Sequence, residues 1–455
     1  METFTNILEF LTYWLVDQYW FPVFLIGSGI FFTIYLGFPQ IKYFKHGWRI
    51  LSGRYVKDDT QGETTPFQAL TTALSGTVGT GNIGGVALAI FLGGPAAIFW
   101  MWITAFFGMT TKFVEVTLAH KYREILPDGS ISGGPMYYIE NGLNMKWLAI
   151  LFSICLLLMC IGTGNMPQIS SIAVIMNDTF DIPKYVTGAI LAILLWMVII
   201  GGIKRIAQIA SKLVPFMAFW YLVGSFAVII SNYENIIPSL QLIFIHVFTP
   251  AAAVGGFLGA SVAAALTRGV NRGLYSNEAG QGSAPIAHAA AKTKESAREG
   301  AVALMGPFID TIVVCTMTGL AILSTNVLNT TDFTGALLTR EAFRSGFSFA
   351  PDIGSFIVNI AVLLFAYTTM VAWSYYGDRS IEYLVGPKAI KPYRWVYVFF
   401  NFLGAILPLT FVWNFGDIAL SLMTIPNLIG VIFLTGTLKK ITSDYFDRTH
   451  VPYKA

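Results

Sequence analysis

The chain has few charged residues. Only 12% of its 455 residues are Asp, Glu, Lys or Arg, whereas about a quarter is usual in a soluble domain. Hydrophobic residues make up 55% of the chain. This balance excludes an ordinary soluble globular protein and predicts a protein that crosses a membrane many times.

Cysteine is also scarce, and several chemical motifs are absent. The three cysteines, Cys155, Cys160 and Cys315, lie in apolar stretches, so we interpret them as small buried side chains and exclude a disulfide framework. The chain has no G-x-x-x-x-G-K-[ST] motif, no nucleophile–base pair and no spacing typical of a metal site. These absences argue against an ATP-driven pump, an intramembrane enzyme and a bound cofactor.

Long hydrophobic runs are abundant. Most hold about 20 residues or more, enough to cross about 30 Å of hydrocarbon. We therefore predict an all-α integral membrane protein with a single membrane domain over residues 1–455. The eleven predicted transmembrane helices lie at residues 18–38, 68–92, 95–119, 148–174, 185–202, 212–231, 240–267, 301–325, 353–377, 393–411 and 413–437.

Lysine and arginine are distributed unevenly among the connecting segments. With the N-terminus outside, 24 of the 28 basic residues face the cytoplasm, and only Lys184, Arg340 and Arg344 face the outside. Basic residues concentrate on the cytoplasmic side of membrane proteins, and an odd number of helices then leaves the C-terminus in the cytoplasm. No basic residue precedes Lys42, so we expect no cleavable signal peptide. The predicted location is the cell membrane.

One predicted helix has a polar, glycine-rich centre. Residues 71–89 read TTALSGTVGTGNIGGVALA and place Thr77, Thr80 and Asn82 among glycines. Glycine costs roughly 1 kcal/mol relative to alanine in a helix, and a membrane helix breaks only where its freed backbone groups find partners other than lipid. The segment therefore indicates a broken helix that lines a binding cavity. The alternative is close packing of small residues against neighbouring helices.

A second predicted helix, residues 240–267, is interrupted by Pro250, Gly255, Gly256 and Gly259. It is the sixth of the ten helices that follow the first one, so the two halves have opposite orientations. Paired interrupted helices in two such halves are typical of an inverted-repeat transporter. The predicted parts are an extra N-terminal helix at 1–38, a cytoplasmic interfacial segment at 39–67, repeats at 68–232 and 240–437, and a cytoplasmic tail at 438–455.

Two other segments place polar groups at membrane depth. Phe365, Thr368 and Thr369 share one helical face, where two hydroxyls and a carbonyl suit a hard cation. The alternative is that the hydroxyls only bond to carbonyls of their own helix. The amide of Gln168 is expensive within a membrane unless it finds a partner or faces water, so we interpret Gln168 as lining a cavity.

Three segments resemble the sodium:alanine symporter family. They read GGPAAIFWMWITAFFG (93–108), SGGPMYY (132–138) and SNEAGQGSAPIAHAAA (276–291), and the similarity covers nearly the whole chain. The resemblance implies the fold of the amino-acid/polyamine/organocation superfamily, with two inverted five-helix repeats. It also implies sodium-driven uptake of alanine or glycine.

The resemblance implies site residues as well. In sodium-coupled amino-acid symporters of the neurotransmitter class, the first core helix carries Val-Gly-x-Gly-Asn, which matches residues 78–82 here, although Gly76 stands where those proteins have asparagine. The expected substrate contacts are Thr77, Gly79, Thr80, Gly81, Gln168, Gly255, Gly256, Phe257 and Trp373, in a pocket for small amino acids. The expected sodium ligands are Ser75, Val78, Phe365, Thr368 and Thr369. Thr77 and Asn82 match a second sodium site.

Charged side chains also fall within predicted helices. We interpret Lys112 and Glu115, three residues apart, as a structural ion pair, with a proton relay as the alternative. Asp310 and Asp417 are interpreted as isolated acids in the outer thirds of their helices. The segment between the predicted helices 240–267 and 301–325 is predicted to be a cytoplasmic loop, which either forms part of an inner gate or makes interhelical hydrogen bonds. It contains Asn277, Glu278, Gln281 and His288.

The expected partners are alanine, glycine, sodium and the lipid bilayer, with no nucleic acid and no obligatory protein partner. Sodium is expected as a co-transported ion, and no cofactor and no enzymatic activity are expected. A proton-coupled transporter of the same fold is the main alternative. An ion channel is a distant alternative, because no ring of charge and no repeated carbonyl filter is visible.

Overall fold

The computed structural model describes residue 8 and residues 10–55, 61–127, 129–249 and 261–450, and most of these residues are helical. The first half contains α1 (Trp20–Tyr35), α2 (Phe44–Leu51), α3 (Pro66–Thr77), α4 (Val86–Gly93), α5 (Ala97–Lys121), α6 (Pro135–Leu143), α7 (Lys146–Gly162), α8 (Met166–Phe180), α9 (Lys184–Ile199) and α10 (Gly202–Ser231). Shorter helical pieces lie at Tyr13–Asp17, Pro39–Lys42 and Gly81–Gly85, and β1 (Glu124–Ile125) pairs antiparallel with β2 (Ile131–Ser132).

The second half is also helical wherever it is regular. It contains α11 (Ile236–Ile245), α12 (Val262–Asn277), α13 (Ala284–Ala289), α14 (Ser296–Ala303), α15 (Thr316–Ser324), α16 (Gly335–Gly346), α17 (Pro351–Val385), α18 (Ile390–Ile406), α19 (Leu409–Phe433) and α20 (Thr435–Phe446). Shorter pieces lie at Tyr233–Asn235, Met305–Pro307, Phe308–Cys315, Val327–Asn329 and Pro387–Ala389.

The helix lengths bear on the predicted spans. In the described part, seven helices are long and apolar enough to cross a membrane, or eight if the bent pair Pro66–Thr77 and Gly81–Gly93 is one span. The structure is therefore that of a multi-pass membrane protein. Helices α9 and α18, at two further predicted spans, have only 16 and 17 residues, and span 240–267 is described only at its two ends. The total of eleven stays a prediction.

Helix α10 shows how the outside of the bundle is built. Five large apolar side chains recur along one face of this helix every three or four residues, and each of the five is at least half exposed. A helix stripe of this kind faces hydrocarbon in a membrane protein, because lipid is as apolar as the side chains. The stripe consists of Phe216, Phe219, Val223, Phe226 and Ile230.

The start of α3 is set by its own sequence. The Thr65 hydroxyl accepts a hydrogen bond from the N–H of Gln68 at 3.2 Å, and the Gln68 side-chain oxygen accepts one from the N–H of Thr65 at 3.0 Å. Pro66 occupies the first helical position, where no N–H is needed. Thr64 forms a parallel bridge with Ala291 just after α13, which joins the beginning of α3 to the end of α13.

Candidate functional site

The polar, glycine-rich segment is a true break in the helix. Helix α3 ends at Thr77, Val78 has φ −76° and ψ 90°, and the chain resumes as a π-helical turn from Gly81 to Gly85. The two helical pieces are bent by 52°. The predicted broken helix is thus confirmed, and the alternative of an unbroken, closely packed helix is wrong at this place.

Side chains satisfy two backbone groups that the break leaves free. The N–H of Gly79 donates to Asn82 Oδ1 at 2.9 Å, and the N–H of Thr80 donates to Gln168 Oε1 at 3.0 Å. The Gln168 amide nitrogen donates to the Thr163 carbonyl at 3.1 Å, and its side chain is only 2% exposed. Such partners replace the lost helical hydrogen bonds in a place where lipid offers none.

Gly79 lies where two other candidate residues meet. A Cβ atom at this position would be 2.6 Å from Thr369 Oγ1 and 3.0 Å from Gln168 Oε1. Real Cβ atoms do not approach oxygen so closely, so a side chain here would force its neighbours apart. The structure therefore brings Gly79, Gln168 and Thr369 together, as the expected substrate and sodium sites require.

Oxygen atoms from α17 collect beside the break. Thr369 Oγ1 lies 3.4 Å from the Val78 carbonyl oxygen and 2.9 Å from the Phe365 carbonyl oxygen. Thr368 Oγ1 lies 3.0 Å from that same Phe365 oxygen. Both hydroxyls therefore bond to a carbonyl of their own helix, as the alternative interpretation predicted. Together with the Val78 and Phe365 carbonyl oxygens they also form a group of four oxygens from two chain segments. Ser75 is buried one turn earlier on α3, and its hydroxyl donates to the Thr72 carbonyl.

Trp373 packs on the α3 side of the break. Its indole nitrogen donates to the Gly76 carbonyl at 3.2 Å, and a Cβ at Gly164 would lie 2.3 Å from the Trp373 ring. The neighbouring residue Tyr376 explains the glycine found in place of the usual asparagine, because a Cβ at Gly76 would already be 3.1 Å from its hydroxyl. Trp373 therefore contacts the last turn of α3 next to the break.

Asn82 makes contacts that the sequence did not predict. Its amide nitrogen donates to Asp310 Oδ1 at 2.6 Å and to Ser276 Oγ at 2.9 Å. Asp310 also accepts hydrogen bonds from Ser276 and Thr311 at 2.7 Å and is fully buried. The interpretation of Asp310 as an isolated acid is wrong. No local pattern could have revealed it, since 228 residues separate it from Asn82.

A second interruption follows α12. The helix ends at Asn277, and Glu278, Gly280 and Gly282 all have positive φ before α13 begins at Ala284. These residues are buried, so this part of the predicted cytoplasmic loop is packed inside the helix bundle instead of being an exposed loop. The interruption adjoins the first break, because a Cβ at Gly81 would lie 3.0 Å from the Tyr275 ring. The sequence signal that could have indicated this interruption is the pair Gly280 and Gly282 beside polar residues.

The predicted break at 250–259 falls in a part of the chain that the structure does not describe. Gly255, Gly256 and Phe257 lie outside the described residues. Their assignment to the substrate pocket stays a prediction.

The structure also bears on the interpretations of Asp417, of the Lys112–Glu115 pair and of the segment that contains His288. Asp417 is not isolated, because both of its oxygens accept hydrogen bonds from Arg272, at 3.2 and 2.6 Å. Glu115 accepts a hydrogen bond from Asn427 at 2.5 Å, and the Lys112 ammonium has no hydrogen-bond partner among the residues that the structure describes. The predicted Lys112–Glu115 pair is therefore not hydrogen-bonded. In the segment predicted as a loop, a hydrogen bond between His288 and Glu299 joins α13 to α14. This is an interhelical hydrogen bond of the kind that the second interpretation of the segment predicted.

A cavity of about 530 Å³ lies beside the break rather than in it. Its lining includes Gly84 and Ser171, which follow the candidate residues Gly81 and Gln168 by three positions. The Arg272–Asp417 pair and Trp413 also line it. A cavity of this size holds a small organic ligand. At the break itself, Gln168 Oε1 already accepts the N–H of Thr80.

Comparison with known sequences confirms the resemblance to the sodium:alanine symporter family. The sequence pattern of the sodium:alanine symporter family matches residues 1–454. The chain is similar to the sodium/alanine symporter AgcS of Methanococcus maripaludis, with 43% identity over 430 residues, 93% of each chain. It is also similar to a probable sodium/glutamine symporter, GlnT, of Bacillus subtilis, with 36% identity over 93% of this chain and 87% of the relative. A putative sodium/proton-dependent alanine carrier of Bacillus subtilis, YrbD, is 37% identical over 92% and 88% of the two chains.

Among solved structures, the chain is similar to MhsT in complex with L-phenylalanine. The TM-score is 0.62, and the match covers 86% of this chain and 94% of that chain. The sequence identity is only 12%, so the likeness concerns the fold alone. It confirms the predicted class, an all-α inverted-repeat transporter fold.

Proposed function

The chain belongs to the sodium:alanine symporter family, and from this premise we propose that it takes up alanine and glycine together with sodium by alternating access. Family membership makes it a cation-coupled amino-acid symporter. The observation that supports sodium as the cation is the group of four oxygens from Val78, Phe365, Thr368 and Thr369.

The oxygen group suits a sodium ion. Its members are two carbonyls and two hydroxyls, and unwound carbonyls at a helix break are a typical sodium environment in transporters. Each hydroxyl oxygen has two lone pairs to offer a cation, and its hydrogen can rotate away from the Phe365 carbonyl oxygen so that this oxygen also faces the ion. We assign the first sodium to these four groups and to the Ser75 carbonyl.

The substrate site is proposed at the N–H groups of Gly79, Thr80 and Gly81. Free N–H groups at the start of a helix attract a carboxylate. In the present conformation the Gln168 side-chain oxygen accepts the N–H of Thr80, and the Asn82 side-chain oxygen accepts the N–H of Gly79. Both oxygens must give up these N–H groups when the carboxylate of an amino acid binds there. Thr77 and Trp373 complete the described part of the pocket, and Gly255, Gly256 and Phe257 are proposed as its remaining wall.

The narrow choice of substrate follows from crowding at the break. Gly79 and Gly164 leave no room even for a Cβ atom beside Thr369 and Trp373. We therefore propose that large side chains are excluded by clash, while alanine and glycine, which differ by one methyl, both bind. The proposed setting is the cell membrane with the N-terminus outside, as the distribution of basic residues favours.

Proton coupling is the second candidate, and the printed name of the relative YrbD includes both ions. The four-oxygen group contains no titratable side chain, which favours sodium. Purified protein in liposomes would be given an inward sodium gradient or an inward proton gradient, and uptake of labelled alanine would be measured. We expect uptake with sodium alone. Uptake that needs only the proton gradient would overturn sodium coupling, and competition by glutamine but not alanine would overturn the proposed substrate.

A further inference from the structure

Lys112 of α5 is a buried cation without a direct partner. Its side chain is 2% exposed, and its ammonium has no hydrogen-bond acceptor within the described structure. It lines a small cavity with room for about one water molecule. Thr77, at the end of α3, and Asn277, at the end of α12, line the same cavity. The ammonium therefore lies between the two interrupted helices.

Three carboxylates lie within electrostatic reach of this ammonium without forming a hydrogen bond to it in the described structure, and each lies in or binds one of the interruptions. The charges that act on Lys112 are Glu278, Glu115 and Asp310, in that order. Asp310 binds the Asn82 amide at the first break. Glu278 lies within the second interruption, and Glu115 faces the backbone N–H groups of Gly280 and Gly282 there.

The same place is where the second sodium was expected. The ligands predicted for it were the Thr77 carbonyl and the Asn82 side chain. Asn82 presents its amide nitrogen to Asp310, and an N–H donor cannot bind a cation. Its oxygen already accepts the N–H of Gly79. Thr77 borders the cavity that Lys112 enters.

We propose that the Lys112 ammonium is a built-in cation that takes the place of a second co-transported sodium, so that one sodium ion accompanies each amino acid. The inference rests on the proposed sodium-coupled function. A buried carboxylate requires a compensating positive charge. An ammonium supplied by α5 provides that charge from within the protein, and a second mobile cation beside it would be repelled strongly in a medium of low dielectric.

The number of coupled sodium ions can be measured from the balance of two gradients. Proteoliposomes would be held at zero membrane potential with potassium and valinomycin, under an inward sodium gradient. The opposing alanine gradient at which net flux stops would then be found. A tenfold sodium gradient balances about a tenfold alanine gradient for one sodium and about a hundredfold gradient for two. We expect the tenfold value, and the hundredfold value would overturn the inference.

Lys112→Met removes the charge and keeps the apolar stem. A sodium ion should then enter beside the carboxylates, the balance point should move toward about a hundredfold, and sodium activation should become sigmoidal. Lys121→Met, at the exposed end of the same helix, is the matched control and should behave as wild type. An active Lys112→Met with an unchanged balance point and sodium curve would overturn the inference.

Lys112→Arg keeps the positive charge and should keep one-sodium coupling. If Lys112→Met cannot be recovered folded, wild type and Lys112→Arg decide: one-sodium coupling in both supports the inference, and two-sodium coupling in either contradicts it. Sodium-independent uptake by wild type is a separate outcome. It would overturn the proposed function, whereas a two-sodium balance point would leave that function intact.

Discussion

Replacing Thr369 with valine removes one oxygen from the proposed sodium site and keeps the shape of a side chain that is only 2% exposed. That oxygen lies 3.4 Å from the Val78 carbonyl oxygen and 2.9 Å from the Phe365 carbonyl oxygen. A polar contact to a charged group contributes about 1.5–3 kcal/mol, so the half-saturating sodium concentration should rise about 10- to 150-fold.

The assay is uptake of labelled alanine into proteoliposomes over a wide range of sodium concentrations, with total ionic strength held constant. Thr424→Val on α19 is the matched control. Thr424 is also fully buried, and its hydroxyl likewise bonds to the carbonyl four residues earlier, Leu420, at 2.8 Å. This variant loses the same kind of hydrogen bond without touching the proposed site, and its sodium curve should match that of wild type.

Two results would refute the reasoning. A Thr369→Val protein with the wild-type sodium curve would show that this oxygen is not a ligand. An equal shift in Thr424→Val would show that loss of any buried hydroxyl changes the curve, so that the effect says nothing about the ion. Binding of alanine at saturating sodium separates a weakened ion site from a damaged fold, because a folded variant should recover binding there.

Three further outcomes are expected. Gly79→Ala places a Cβ atom 2.6 Å from Thr369 Oγ1 and should abolish alanine binding. The control is Gly27→Ala, whose Cβ atom would have nothing within 4 Å, and this variant should bind alanine as wild type does. If calorimetry finds that Gly79→Ala and wild type bind alanine with equal affinity, the assigned carboxylate position is wrong. Saturating unlabelled glycine should compete with labelled alanine and leucine should not, and effective competition by leucine would mean a larger pocket. Burial and the nearby His450 and Arg298 lower the pKa of His46 to about 4, so its ring is neutral while it contacts Tyr445 of α20. When it is undocked, the ring has an ordinary histidine pKa of about 6.5, so docking of α20 should weaken as pH falls from 6.5 toward 4. Hydrogen exchange of α20 that stays unchanged over this pH range would contradict the prediction.

The first break was predictable because its cause is local. Glycines and polar side chains within one apolar segment cannot form a regular lipid-exposed helix, whatever lies around them. The face shared by Phe365, Thr368 and Thr369 was predictable for the same reason, since helical periodicity alone aligns them. That this face lies against Val78 came from the resemblance, and the structure places it there.

The other half of the site required the tertiary structure. The interruption at Glu278–Ser283 resembles a polar loop in sequence, and only its burial between helices shows that it lies inside the bundle. The isolated appearance of Asp310 and Asp417 arose because their partners, Asn82 and Arg272, are 228 and 145 residues away.

The sequence by itself determined the membrane class, the family and the first broken helix, because hydropathy, motifs and glycine content act over short stretches of chain. The tertiary structure decided which charges meet. A buried charge is stable only beside its compensating partners, and the folded bundle alone brings Lys112 to the carboxylates from two other parts of the chain.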